Sequence, residues 1–249
     1  MTISEGLLLL PLGAVLTVLC LLGVRRLPSA SRLQAASELS GLYVGAIAAL
    51  YGVLLGFMVL AVWTRFDGAE ARTEEEAATL GTVVRLAHAL LPGHGGETVI
   101  VACHRYAESV EADEWPAMTR KQESTKTHRA MDDLWEAVLR LQTTSRDESS
   151  LVSEAITQMT ELSRLRRLRL LDCRSGLPPL LWLVLTGGAV ITVGSSLLLW
   201  TESRRLHALL AACLWLVVGG CLVAAGELST PFSGDVHIES EVFARALRP

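Results

Sequence analysis

Few side chains in this sequence are spaced to make or break bonds. His104 and Glu108 share a helix face at i,i+4, yet no third ligand follows at a useful spacing and no His-Glu-x-x-His zinc motif occurs. That pair reads as a contact on a helix surface. His88, His94, His128, His207 and His237 are scattered. Gly93 to Gly96 is glycine-rich but lacks the Lys and Ser/Thr with which a P-loop holds phosphate and magnesium, and no nucleophile elbow is present. Cys20, Cys213 and Cys221 sit inside apolar runs, where a thiol behaves as a small hydrophobe. Cys103 and Cys173 are expected at different depths of one insertion, so no disulfide is predicted, and no spacing suggests zinc. The sequence therefore points to no enzyme, no cofactor and no metal.

Two other patterns carry more. Gly41, Gly45, Ala48, Gly52 and Gly56 recur on one helical face, a stripe of small residues that lets backbones approach closely in lipid, where packing drives association. The stripe reads either as packing within the chain or as a subunit contact or pore-facing surface. On the opposite face Ile47, Leu50, Leu54 and Phe57 are bulky and apolar. They read either as a lipid-facing surface or as a hydrophobic constriction that gates by dewetting. The second pattern pairs two charges. Glu76 lies about 13 residues beyond the apolar run that ends at Trp63, and Arg166 about 12 before Pro178, so at about 1.5 Å per residue both stand roughly 18 to 20 Å from their run ends. A buried ion pair between Glu76 and Arg166 is predicted, with Glu74, Glu75, Arg164, Arg167 and Arg169 as a more exposed rim.

The elements that position these residues follow from the hydrophobic pattern. A mean hydropathy of +0.40 is too high for an ordinary soluble fold. Four runs, Leu7 to Val24, Leu42 to Trp63, Pro179 to Trp200 and Leu206 to Gly226, approach or reach the ~20 residues that cross a hydrocarbon core. No charged residue lies between their ends. The first run follows Glu5 and no basic residue, so it is read as a retained helix and not as a cleaved signal. The missing mid-membrane charge argues against an ion-coupled transporter. A net charge of −4 leaves no broad basic footprint, which excludes nucleic acid as the main partner.

The expected fold is an all-α integral membrane protein. Residues 1–63 hold transmembrane helices one and two, 64–177 a helical soluble insertion, 178–226 helices three and four, and 227–249 a tail. Phe66, Ala69, Ala77, Leu80, Val84 and Leu91 continue the second span into the insertion, until the cluster Pro92 to Gly96 stops it. Further helices are predicted over Glu97 to Asp113, ended or turned by Trp115-Pro116, over His128 to Leu141, and from Ser150 back to the membrane. Together they make a four-helix bundle continuous with spans two and three. Pro178 and Pro179 suit the first turn of span three.

The tail, Glu227 through Pro231-Phe232 to Gly234-Asp235, resembles the Pro-Phe-Gly-acidic segment that follows the last span of bestrophin channels. Tyr43 to Phe243 is also similar to a bacterial bestrophin-like family of undefined activity, at Glu114-Trp115-Pro116, the Arg166-Arg167-Leu168 region, Trp182 and Pro231-Phe232. Ser233 stands before the glycine and the dense acidic run is missing, a departure from the bestrophin calcium clasp. The resemblance implies a ring-shaped homo-oligomer, a pentamer, with an ion path along span two and a cytoplasmic insertion. Arginines near the insertion's membrane ends point to the same side by raw count.

The function expected is a homo-oligomeric channel of the bacterial plasma membrane passing small ions, and anions by resemblance. The rival is a non-conducting, membrane-anchored helical module that binds a partner protein or senses a ligand.

Overall fold

The computed structural model describes residues 3–26, 37–90, 92–199, 201 and 203–247, and all their regular structure is helical. The chain divides into two units. The expected residues Leu91 and Trp200 lie outside the described residues.

The first unit comprises Met1–Arg65, Leu177–Ser229 and Gly234–Val236. It contains α1 (Ile3–Val24), the first part of α2 (Ser37–His88), α7 (Pro179–Ser196) and α8 (Arg204–Leu228). Three helices, α2, α7 and α8, are long and apolar enough to cross a membrane, and Leu8–Val24 forms a shorter apolar helix. Helix α7 stops at Ser196, short of the expected Trp200. The Ser195 and Ser196 hydroxyls donate to the carbonyls of Thr192 and Val193, at 3.0 and 2.6 Å, and so compete with the backbone where the helix ends. Ser203 caps α8 by accepting from the Leu206 amide.

Close approach in this unit occurs at glycines outside the predicted stripe. A Cβ on Gly13 would lie 2.1 Å from the indole of Trp215, whose Nε1–H donates to the Leu10 carbonyl at 2.8 Å and ties α8 to α1. A Cβ on Gly188 would lie 2.5 Å from the Tyr51 ring, and the Tyr51 hydroxyl donates to the Leu185 carbonyl at 2.9 Å. In lipid such contacts replace the hydrophobic effect as the source of helix association. At the Arg25 end of α1, the Arg25 guanidinium donates to Nδ1 of buried His207 at 2.9 Å, which leaves Nε2–H to donate to the Ser196 carbonyl at 3.1 Å.

The second unit comprises Phe66–Gly176, Thr230–Ser233 and His237–Pro249. Its core is drawn from the rest of α2, α3 (Gly96–Ser109), α5 (Thr125–Leu139) and α6 (Arg146–Arg174), with Leu80, Val99, Tyr106, Leu134, Val138 and Leu162 among its buried residues. Between α3 and α5, where Trp115-Pro116 was expected to end or turn the helix, the helix does not end outright. It widens into a π-helical turn, Val110–Glu114, and continues as α4 (Trp115–Met118). The turn places Pro116 near the start of a fresh helical segment, where its missing amide hydrogen costs little.

Helix α5 begins earlier than His128, because the Ser124 side chain caps it by accepting from the Thr127 amide. Helix α6 begins at Arg146 and not near Ser150. Ser145 and Glu148 form a reciprocal capping box that satisfies amides at the helix start. The tail adds α9 (Val242–Ala246), which buries Phe243 in this core.

Candidate functional site

Within the first unit, the buried line of α2 is Tyr51, Leu55 and Val62. By helical spacing it runs between the small-residue stripe and the bulky face. Gly45, Gly52 and Gly56 are exposed, Gly41 and Ala48 half-buried, and a Cβ on any of the four glycines would meet nothing within 4 Å. Among the described residues, nothing packs closely on the stripe's glycines. Of the bulky residues, Leu50 and Phe57 are 75% and 66% exposed, while Ile47 and Leu54 are half-buried and Leu54 packs against the Tyr51 cluster. The span thus offers two open apolar surfaces flanking one packed line.

Charge is concentrated in the core of the second unit. Arg169 on α6 is fully buried. Its Nε donates to Glu76 Oε2 at 2.6 Å and its Nη2 to Glu76 Oε1 at 3.0 Å and to Glu114 Oε2 at 2.8 Å. Its Nη1 donates to the Met118 sulfur at 2.9 Å. The Tyr106 hydroxyl completes Glu76 at 2.7 Å. Arg166, one turn earlier on α6, donates to Glu114 through Nη2 at 2.5 Å and Nε at 3.3 Å.

The predicted pairing is thereby corrected. Glu76 and Arg166 both enter the network, but the direct partner of Glu76 is Arg169, which was expected on the exposed rim, and Arg166 is held by Glu114. The physical reason is a third element: Glu114, at the end of the π-helical turn, inserts a second buried carboxylate that needs its own cation.

Two carboxylates facing two guanidiniums make the cluster formally neutral, the condition under which charges survive burial. Burial alone would push the Glu114 carboxyl up, but Arg169 and the bonds from Arg166 outweigh it and hold the group below the usual carboxylate range. Burial likewise opposes the charge on Arg169, and the field of Glu76 reverses the effect and raises it. Burial and the neighbouring Glu76 push the Tyr106 phenol well above its ordinary value, so it remains a donor.

An aromatic lid covers the cluster. The Arg169 guanidinium lies 5.2 Å from the Trp115 ring centroid and 5.6 Å from that of Phe243. Phe232 stands edge-on to Trp115 at 5.7 Å, and the Trp115 indole donates to the Ile238 carbonyl at 3.1 Å. Pro231 and Phe232 are buried, and the Pro231 carbonyl accepts from the Ile238 amide at 2.9 Å, closing the tail into a loop. In the first unit, Gly234 has φ +100, a left-handed conformation that favours glycine, and a Cβ there would lie 3.0 Å from Oε2 of buried Glu227. Asp235 is exposed. Among the described residues no cluster of His, Cys, Asp and Glu is placed to hold a metal ion.

These features agree with a family assignment. The profile of the Bestrophin-like domain family matches residues 12–243, nearly the whole chain. The chain belongs to that family. Its fold is also that of solved bacterial bestrophin homologues. A point-mutant structure of the Klebsiella pneumoniae homologue superposes with a TM-score of 0.76 at 12% identity, covering 98% of this chain and 97% of that one. Another structure of the Klebsiella pneumoniae homologue gives 0.70 at 13% identity, over 99% and 97%. A further mutant structure gives 0.72 at 16% identity, over 98% and 96%. No curated protein matches the sequence significantly.

The points that carry the resemblance meet in the core of this bestrophin-like chain. Glu114 and Trp115 contribute the second carboxylate and the ring above Arg169, Arg166 anchors Glu114, and Phe232 packs on Trp115. Trp182, by contrast, is half-buried on α7 in the first unit.

Proposed function

We propose that this chain is one subunit of a homo-oligomeric ion channel in the bacterial plasma membrane, pentameric as the family resemblance implies, with the helical insertion in the cytoplasm. In this reading α1, α2, α7 and α8 are the four spans, and the lipid bilayer covers their outer surface. The observation that carries it is the state of α2 in the single chain. One apolar face of small residues and one of bulky residues have no partner there, while the line between them is packed. Subunits arranged around an axis would cover the stripe Gly41, Gly45, Ala48, Gly52 and Gly56 with a neighbouring helix and turn Leu50 and Phe57 toward the axis. A ring of such side chains excludes water when narrow and conducts when widened, which is how hydrophobic constrictions gate. Ile47 and Leu54, half-buried in the single chain, back that ring.

Small ions are the substrate in this reading, and anions follow from the family resemblance. No Asp, Glu, Lys, Arg or His lies between Leu42 and Trp63 to bind an ion tightly, which suits rapid passage more than coupled transport. The test is mass measurement of the detergent-purified protein, followed by ion flux and reversal potentials in liposomes under a salt gradient. A ring-sized oligomer with anion-directed reversal supports the reading. A cation-directed reversal removes the anion assignment. A strict monomer with no flux removes the channel and leaves a membrane-anchored module that binds a partner or senses a ligand.

A further inference from the structure

We propose that the turn after α4 binds the phosphodiester headgroup of an anionic phospholipid, with Lys121 as its principal contact and Arg120 and Arg174 beside it. This rests on the reading of α7 as a membrane span, but not on conduction or subunit number.

Helix α4 ends in a Schellman turn. The Gln122 amide donates to the Ala117 carbonyl at 3.0 Å and the Lys121 amide to that of Met118 at 2.9 Å. Lys121 stands where such a turn requires a left-handed backbone, at φ +58. Glycine is favoured there, because a Cβ in that conformation crowds the following carbonyl. Among the described residues Lys121 is the only non-glycine residue at positive φ. The turn itself does not call for a lysine, so the reason for one lies in what its side chain reaches.

It reaches the end of α6. The Lys121 amine lies 3.9 Å from the point where a Gly176 Cβ would stand. Arg174, two residues earlier and 53% exposed, joins it: both cations act on the Cys173 thiol, although burial outweighs them and pushes that thiol up. From Gly176 the chain takes three steps to Pro179, the first residue of α7, which is at most ~11 Å of backbone. The headgroup layer of a bilayer is about 5 to 8 Å thick on each side of the hydrocarbon core. The two cations are therefore held within reach of lipid phosphates.

The charge count favours an anion there. The buried core is neutral by itself, since Arg166 and Arg169 are matched by Glu76 and Glu114. Asp172 is taken by Arg72 at 2.9 Å. Glu123, with Oε2 3.5 Å from Arg174 Nη2, offsets one of the three outer cations. Arg120 and Lys121 are exposed and form no ion pair among the described residues, so two positive charges remain. A phosphodiester supplies one negative charge on two terminal oxygens, which lysine engages as a point charge and arginine as a fork.

The experiment is native mass spectrometry of the detergent-purified full chain, incubated with equimolar phosphatidylglycerol and phosphatidylcholine of matched acyl chains. Retention of phosphatidylglycerol about fivefold or more over phosphatidylcholine is expected, and Lys121→Gly should cut that preference about fivefold. The same change should leave Tm unchanged or raise it, because glycine suits the turn. Lys121→Arg, which keeps the charge, should keep the preference. Arg146→Gln removes an equal charge from the other end of α6 and should have no effect. Equal retention of the two lipids overturns the site, as does indifference to Lys121→Gly. An equal loss in Arg146→Gln reduces the effect to general charge and overturns it too. A lower Tm for Lys121→Gly overturns the premise that the turn does not need lysine. Displacement of the bound lipid by inorganic phosphate overturns the lipid assignment in favour of a free anion. Ion flux does not enter this assay, so a failure here leaves the channel reading standing, and absent flux leaves this site standing.

Discussion

Replacing Arg169 by Gln tests the charged core most directly. The change removes three hydrogen bonds to two buried carboxylates, at 2.6, 3.0 and 2.8 Å. Adding about 1.5 to 3 kcal/mol for each would overshoot, because neither carboxylate is left bare. Glu76 keeps the Tyr106 hydroxyl and Glu114 keeps Arg166. The better guide is the cost of breaking one buried pair, about 3 to 5 kcal/mol. Arg166→Gln should cost less, about 1.5 to 3 kcal/mol, since Arg169 still neutralises Glu114. Denaturant unfolding of the detergent-purified variants, followed by far-ultraviolet circular dichroism, reads both values. Combining Arg169→Met with Glu76→Gln should cost clearly less than the two changes separately, with a coupling of about 0.5 to 3 kcal/mol. An Arg169 variant no weaker than the Arg166 variant, or strict additivity in the cycle, would refute the partner assignment.

Three further expectations follow from single sites. Phe232→Ala should destabilise the second unit by about 3 to 5 kcal/mol and speed proteolysis beyond Ser229, because it empties a buried site against Trp115; an unchanged unfolding midpoint would mean that the tail is only loosely attached. Glu148, held down to about 2 chiefly by the Thr144 amide and further by the Thr144 hydroxyl and His94, contributes stability that is complete above the unfolded carboxylate value of about 4.3 and lost as pH falls toward 2. Glu148→Gln should flatten that acid limb of the Tm profile, and parallel profiles would count against it. Gly188→Leu should impair folding of the protomer itself by driving into Tyr51, whereas Gly52→Leu, with nothing within 4 Å in the chain, should leave helicity intact and alter oligomer mass. An unaltered mass for Gly52→Leu removes the stripe as a subunit contact.

The apolar runs were legible because about 20 uncharged residues leave a helix few alternatives in lipid. The continuation of α2 as one 52-residue helix was visible in the spacing from Phe66 onward. The start of α6 was also there to be read: Ser145 followed three residues later by Glu148 is a capping box, obscured by the polar stretch around it. The π-helical turn leaves no comparable sign, since one extra residue in a helix alters the path of the chain without a characteristic residue type. Glycine spacing does not by itself say which glycines pack within the chain. A regular stripe stands out by eye, yet the contacts within the chain fall on isolated Gly13 and Gly188, where a single aromatic ring needs the room. At the charged core, depth along the helices could be estimated but Glu114 could not be placed, so one carboxylate was matched with the wrong turn of α6.

That mismatch of one turn explains what the buried charges contribute. Replacing a buried ion pair with apolar residues is often neutral or stabilising, so tight packing alone does not account for four charges in a core. A fixed register does. Stepping from Glu76 back to Arg72 on α2 is matched by stepping from Arg169 forward to Asp172 on α6, where Arg72 Nε donates to Asp172 at 2.9 Å. Sliding α6 until Arg166 met Glu76 would shift it by roughly one turn, ~5 Å, and much of the apolar pattern would tolerate the move. Arg72 would then lose Asp172, Glu114 would keep one guanidinium in place of two, and Arg169 would be carried away from Glu76 and from the rings of Trp115 and Phe243. The displaced Arg169 would be a buried charge without its carboxylates, so the slipped state is penalised while the observed one satisfies its buried partners. In a helix whose apolar segment continues directly into this bundle, such a lock sets which residues of α2 stand at each level, a property that hydrophobic packing with its near-equivalent alternatives does not secure.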